Sequence, residues 1–307
     1  MPELRADALS PLDAARLWAQ LHRLDTEVIA TRSVDRLFVS AGLAATGLSR
    51  LPHFPRTAVL GVKRGLGYRG VSVARELAGG AGWEVVSLRL VRDTDNEAVV
   101  ALLTAACRET AQRKARMIYL RIAEGSPHVE AVRHSGIMAY ALEHLHALPM
   151  NGEAHRETSF RSASGLDRHG IFRLYCRAVP ENVRRQEAPT QQEWRAVLDS
   201  YECDKEFVLE HDGSLHAWVG VGAREARMLI DSPNERTTDE AFDLVEAALG
   251  EHGVLVLAEH QIAPQRIAAE RGYTPLGTRL MCARRLAILN PLKEAGAVPV
   301  IETVPLR

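Results

Sequence analysis

Arg116-Met-Ile-Tyr-Leu-Arg-Ile-Ala-Glu-Gly-Ser126 is the stretch on which the reading of this chain turns. Apolar and β-branched residues fill Met117–Ile122, and the Glu-Gly-Ser that follows is turn sequence, so a strand is predicted there. Behind it, Val129-Glu-Ala-Val-Arg-His-Ser-Gly136 predicts a short helix over His128–His134 with a glycine stop, because a helix end favours a residue that tolerates positive φ. A further strand begins near Met138. The order recurs late in the chain: a strand at Val254–Ala258, a helix at Pro264–Arg271, Gly272, and the last strands within Thr274–Leu286. Glu124 precedes Gly136 by 12 residues and Glu259 precedes Gly272 by 13, so the two passages keep nearly one register.

The repeat extends outward. Helices are predicted at Asn96–Gln112 and Asp239–Leu249, each opened by a capping-box pattern, Thr94 to Glu97 and Thr237 to Glu240. Three strands precede each: Thr57–Val62, Gly70–Ala74 and Trp83–Leu90, then Phe207–Glu210, Leu215–Val221 and Arg227–Ile230. Helices come before those. Ser10-Pro11 opens one and Val34–Leu48 is amphipathic. Ile171, Leu174, Tyr175 and Ala178 share a helical face, and Thr190 to Glu193 is another capping box. Thr158–Ala163 is strand-like. The polar run around Pro149 and Gly152 divides the copies. The expected organisation is residues 1–149, a linker at 150–156, a second domain at 157–290 and an extended tail at 291–307.

Composition bounds the function. The 307 residues carry 38 Lys+Arg against 39 Asp+Glu, and a net charge of −1 argues against a nucleic-acid partner bound through bulk positive charge. Aromatics at 5% argue against base-stacking platforms. No run of 18 apolar residues predicts a membrane helix, and the acidic N-terminus does not read as a secretory leader. Cys107, Cys176, Cys203 and Cys282 form no CxxC pair and read as reduced thiols of a cytoplasmic protein.

One motif points elsewhere. Gly61-Val-Lys-Arg-Gly65-Leu-Gly67-Tyr-Arg-Gly70 contains GxxxGxG and GxGxxG, and Tyr201 with Lys205 forms YxxxK, which together suggest a NAD(P)-dependent oxidoreductase. Against it, Val71-Ser-Val-Ala alternates like a strand, Gly79-Gly80 stops the chain after one further turn, and no acidic residue ends the next strand to hold a ribose. A β-hairpin with a glycine-rich turn is the expected structure.

The paired strand, short helix and glycine-aromatic ending resembles the Gcn5-related N-acetyltransferases, the GNAT superfamily. Arg116–Ser126 with Val129–Ile137 and Tyr140–Glu143 carries it in the first half; Ile267-Ala-Ala-Glu-Arg-Gly272-Tyr273 with Leu280–Leu286 carries it in the second. The resemblance implies an α/β (α+β) tandem chain of two GNAT-like domains, each a mixed, mostly antiparallel sheet flanked by helices. It further implies N-acyl transfer from acetyl-CoA or another acyl-CoA to a small-molecule or peptide amine, without a metal. The pantetheine would lie where the fourth strand splays from the fifth, with the pyrophosphate at the next helix start.

Carried over position by position, the resemblance marks Leu88, Leu90, Arg92, Asp93, Thr94 and Arg236 for cofactor binding. Glu76, Glu84 and Glu143 are the candidate bases, with Glu210 and Glu259 in the second half. The first half is the expected active one, since its loop carries Arg92. Both phosphate loops depart from the family pattern. They lack glycine and place carboxylates at the helix start, and Val132 and Ala268 stand where a general-acid tyrosine would be. A catalytically inactive GNAT-fold binding protein is therefore the alternative. His144-Leu-His146 puts two imidazoles on one strand face, but no third metal ligand follows from spacing.

Overall fold

The structure, a computed structural model, describes residues 4–10, 13, 17, 23–24, 26–31, 56–64, 67–92, 95–149, 158–231, 235–250 and 253–286. The Val34–Leu48 helix, the 150–156 linker and the 291–307 tail lie outside them.

In the first half the strands are β1 (Ala6–Ala8), β2 (Thr26–Ala30), β3 (Thr57–Arg64), β4 (Gly67–Glu76) and β5 (Gly82–Leu90). Helix α1 (Asn96–Gln112), β6 (Met117–Ala123), α2 (Val129–His134) and β7 (Met138–Ala147) follow. β3 and β4 form an antiparallel hairpin. The Gly61–Gly70 motif therefore spans two paired strands, and no helix follows the glycines to receive a dinucleotide phosphate. Gly136 sits at φ +79° after α2, in the left-handed region that glycine occupies without strain.

The second half has β8 (Arg161–Ser162), α3 (Arg168–Ala178), α4 (Glu181–Glu187), α5 (Gln191–Ser200), β9 (Lys205–His211), β10 (Ser214–Val221) and β11 (Glu225–Ile230). It ends with α6 (Glu235–Leu249), β12 (Val254–Ala258), α7 (Ile262–Glu270) and β13 (Thr274–Arg285). Gly272 repeats the positive φ of Gly136 at +79°.

The strands join one continuous sheet, in the order β1-β3-β4-β5-β6-β13-β7-β12-β11-β10-β9-β8, with β2 beside β5. The last strand of each half is exchanged. β13 pairs antiparallel with β6, Arg279 opposite Ala123 and Arg285 opposite Met117. β7 pairs antiparallel with β12, Val254 opposite Ala147 and Ala258 opposite Glu143. β13 and β7 pair with each other at the centre. Both neighbours of β7 thus belong to the second half, and both neighbours of β13 to the first. The core follows suit. Met117 and Tyr119 of β6 are buried in one cluster with Tyr175, Trp194 and Trp218.

Local chemistry corrects several expected boundaries. The cap of α1 is Asp95, whose side chain accepts from Ala98 N, rather than Thr94. Helix α6 begins at Glu235, so Thr237 lies inside it rather than capping it. The strand-like Thr158–Ala163 contributes only the two residues of β8, and Thr274–Leu286 forms one strand rather than several. Helix α4 and strand β2 were not expected: Glu-Asn-Val-Arg-Arg-Gln-Glu and Thr-Glu-Val-Ile-Ala are too short to carry a period.

The capping box of α5 forms as expected, Thr190 Oγ1 accepting from Glu193 N while Glu193 accepts from Thr190 N. Thr190→Ala is expected to cost about 1 kcal/mol, read as a fall of about 3 °C in melting temperature.

Candidate active site

The inner face of the sheet carries charge where a core would normally be apolar. Glu84 of β5 is 0% exposed and accepts from Arg121 Nη1 of β6 at 2.7 Å, with Arg75 of β4 3.6 Å away. Arg75 also binds Asp199 at the end of α5 at 2.8 Å. Glu143 of β7 is held by Arg227 of β11, by Arg279 Nε of β13 at 2.5 Å and by Arg121 at 3.8 Å. Arg279 continues to Glu225 at 2.8 Å. Buried charges are tolerable only when paired and hydrogen-bonded, and Glu84 and Glu143 each have at least two guanidinium groups. Burial pushes the Glu143 carboxyl up, but Arg227, Arg279 and Arg121 more than reverse this and hold it well below the usual carboxylate range.

The candidate residues separate accordingly. Arg121 brings Glu84 and Glu143 together, and Glu143, held below the usual carboxylate range by its arginines, is poorly suited to accept a proton. Glu76 lies apart at the end of β4, 3.8 Å from Arg56. Glu210 pairs with Arg161 on the surface, and Glu259 is exposed beyond β12. Leu88 and Leu90 are fully buried on β5. Arg92 is exposed, and Asp93 and Thr94 lie outside the described residues. Arg236 is exposed at the start of α6, paired with Glu240 at 3.0 Å. His144 and His146 stand with ring centroids 6.5 Å apart, and no group of three metal-ligating side chains exists among the described residues.

The two halves differ at the point where a parallel strand pair diverges. β5 and β6 pair only over Gly82–Val85 and Met117–Leu120. Beyond that, β2 runs antiparallel along β5, Thr26 opposite Leu90 and Ala30 opposite Ser87, and Thr31 N donates to Val86 O. The freed edge of β5 is thus satisfied by the chain itself. At the adjacent helix start, Asp95 caps Ala98 N and grips Arg69 through two hydrogen bonds.

β11 and β12 pair only over Glu225–Arg227 and Val254–Val256. No strand enters this gap among the described residues. Asp231 N donates to His216 O on the β10 side, so alternation turns the backbone groups of Met228 and Ile230 towards the gap. Among the described residues one side chain bridges it: Gln261 Nε2 donates to Met228 O at 2.7 Å, and its Oε1 accepts from Ala258 N at 2.8 Å.

The gap leads into a cavity of about 40 Å³ between the sheet and helices α3–α5, reached by Glu187, Tyr175, Tyr201, Trp218 and His260. At about 10–15 Å³ per water centre it holds about three waters. His260 Nε2 is buried without a partner, and burial lowers its pKa, so the ring is neutral at pH 7. Burial also raises the Glu187 carboxyl, and hydroxyl donors offset only part of that. Neither residue stood out in the sequence. His260 was hidden beside Glu259, and Glu187 sits in a short charged helix that reads as surface.

No protein-family model matches the chain, and no curated protein matches it by sequence. Among solved structures, a tandem GNAT protein from the clavulanic acid biosynthesis pathway superposes with a TM-score of 0.50 at 12% identity, covering 92% of this chain and 98% of that one. A GCN5-related N-acetyltransferase from Sphaerobacter thermophilus gives 0.50 at 13% identity, covering 93% and 96%. The chain has the tandem GNAT fold.

Proposed function

We propose that this protein is an acyl-CoA-dependent N-acyltransferase whose working site lies in the second half, with the first half as its structural partner. The observation that carries this is the divergence of β11 from β12 into a cavity holding Glu187 and His260. In the GNAT arrangement a pantetheine occupies such a gap as an extra strand would. The residues fit that role in the second half, where backbone groups face the gap and one movable amide, that of Gln261, stands in for ligand amides. They do not fit in the first half, where β2 already forms those bonds and Asp95 with Arg69 takes the helix start.

An acyl-CoA held there would supply a thioester at whose acyl carbon an amine forms a C–N bond as the C–S bond breaks and sulfur departs with the electron pair. Neutral His260 would take the proton from the attacking nitrogen at Nε2 and return it to the departing sulfur. Exposed Arg236, with His211 and His216 in the same groove at the start of α6, would face the phosphates.

The test is a calorimetric titration with acetyl-CoA on three proteins. Wild type and Arg92→Ala are expected to bind one equivalent. Ala258→Phe, which fills the inner end of the gap, is expected to bind none. Absence of heat and of thermal stabilisation in wild type at millimolar acetyl-CoA would leave the inactive binding protein as the better reading.

A further inference from the structure

Resting on acyl transfer at this site, we propose that the acceptor is a primary amine on an unbranched chain and that Glu187 receives its ammonium group in the cavity and takes one of its protons, leaving the neutral amine that attacks and gives its next proton to His260. Glu187 is 4% exposed yet forms no ion pair among the described residues. Hydroxyls donate to it, Tyr140 Oη at 3.1 Å and Tyr201 Oη at 3.4 Å. Its neighbours Glu84 and Glu143 are each buried with two or three guanidinium groups. A buried carboxylate without a counter-charge is costly to keep, and a cationic ligand supplies what is missing.

A second observation concerns the wall residue that faces that carboxylate. Tyr175 is fully buried on the cavity wall, its hydroxyl facing Glu187 without completing a well-formed hydrogen bond. A buried hydroxyl left so is costly unless a ligand completes it. An ammonium lying against Glu187, with its stem along Trp194 and Trp218, would do so, and the aromatic faces themselves favour a cation.

Size sets the class. Room for about three waters admits a CH2–NH3+ end and excludes a branched carbon next to nitrogen. Glu187 is faced by Tyr140 and Glu143 from β7, Tyr119 and Arg121 from β6, Tyr175 from α3, and Tyr201 after α5. Burial keeps those tyrosines protonated at neutral pH, so Tyr140 and Tyr201 donate to the carboxylate, and Tyr119 to the backbone carbonyl of Glu187, without adding charge.

The test uses the full chain without acyl-CoA, titrated with methylamine, propylamine and tert-butylamine by calorimetry and thermal shift. Methylamine and propylamine are expected to bind and stabilise wild type, and tert-butylamine is not. Glu187→Gln is expected to weaken propylamine at least tenfold while near-ultraviolet circular dichroism stays native. Tyr175→Phe, which removes only the hydroxyl facing Glu187, is expected to weaken it several-fold and serves if Glu187→Gln does not fold. A folded Glu187→Gln protein with wild-type affinity overturns the proposal. So does failure of both unbranched amines to bind a wild-type protein that binds acetyl-CoA, and acyl transfer then stands without it. Amine binding lost in Glu187→Gln, in a protein that never binds acetyl-CoA, upholds the amine site and overturns acyl transfer.

Discussion

Expressed separately, residues 1–149 and 157–307 are expected to yield two chains that do not fold, and mixing them during refolding is expected to restore the native protein. The reason is the exchange of terminal strands. Alone, the first half leaves β7 with no pairing partner, because β12 and β13 are both missing. It also strips β6 of its antiparallel neighbour and bares Met117 and Tyr119, which are buried against α3 and α5. The second half alone loses both neighbours of β13 and one of β12. Cross-half bonds go too: Arg75 to Asp199, Arg121 to Ser200, and Tyr119 Oη to the Glu187 carbonyl. With a total stability of about 5–15 kcal/mol to draw on, neither half can absorb the loss, and the exposed strand edges would aggregate. Circular dichroism melts and size-exclusion chromatography check this. A cooperative melt from either half alone would refute it.

Glu143→Ala is expected to destabilise the protein by about 3–5 kcal/mol and lower its melting temperature by about 10 °C. The variant leaves Arg227 and Arg279 buried without their shared carboxylate, and an unpaired buried charge costs more than the pair itself contributes. Arg236→Ala is the control: its partnership with Glu240 is exposed on the arginine side, and such pairs contribute about 0–1 kcal/mol. The Glu143 contribution also has a sign in pH. Its folded pKa is depressed, so the stabilisation is complete above the ordinary value of 4.5 and is lost progressively as pH falls below it. Acid unfolding of wild type should therefore be steeper below pH 4.5 than that of Glu143→Gln. Equal acid profiles, or a fall of under 2 °C in Glu143→Ala, would contradict the argument.

The repeat was legible because it rests on local signals. Met117–Ala123 and Val254–Ala258 are continuous apolar runs, and Gly136 and Gly272 sit where a helix must end. The Thr190 capping box was equally local. The site was harder to read. Glu84 and Glu143 stood out as acids in strand sequence, but nothing in a one-dimensional reading places Arg75, Arg121, Arg227 and Arg279 around them. Those partners come from four different strands.

The sequence by itself determined that two copies of one α/β unit follow each other, since strand and helix periods, caps and glycine stops depend only on near neighbours. It also implied that the Gly61–Gly70 motif belongs to a hairpin. Tertiary structure alone decided which half keeps its strand gap filled by the chain and which leaves it open. β2 fills one gap and, among the described residues, only the Gln261 side chain bridges the other, and that difference depends on strand pairing across about 60 residues in the first half. It alone decided the exchange of β7 and β13 as well. An antiparallel edge accepts any strand of suitable pattern, so the choice of partner is made by the packing of both halves together.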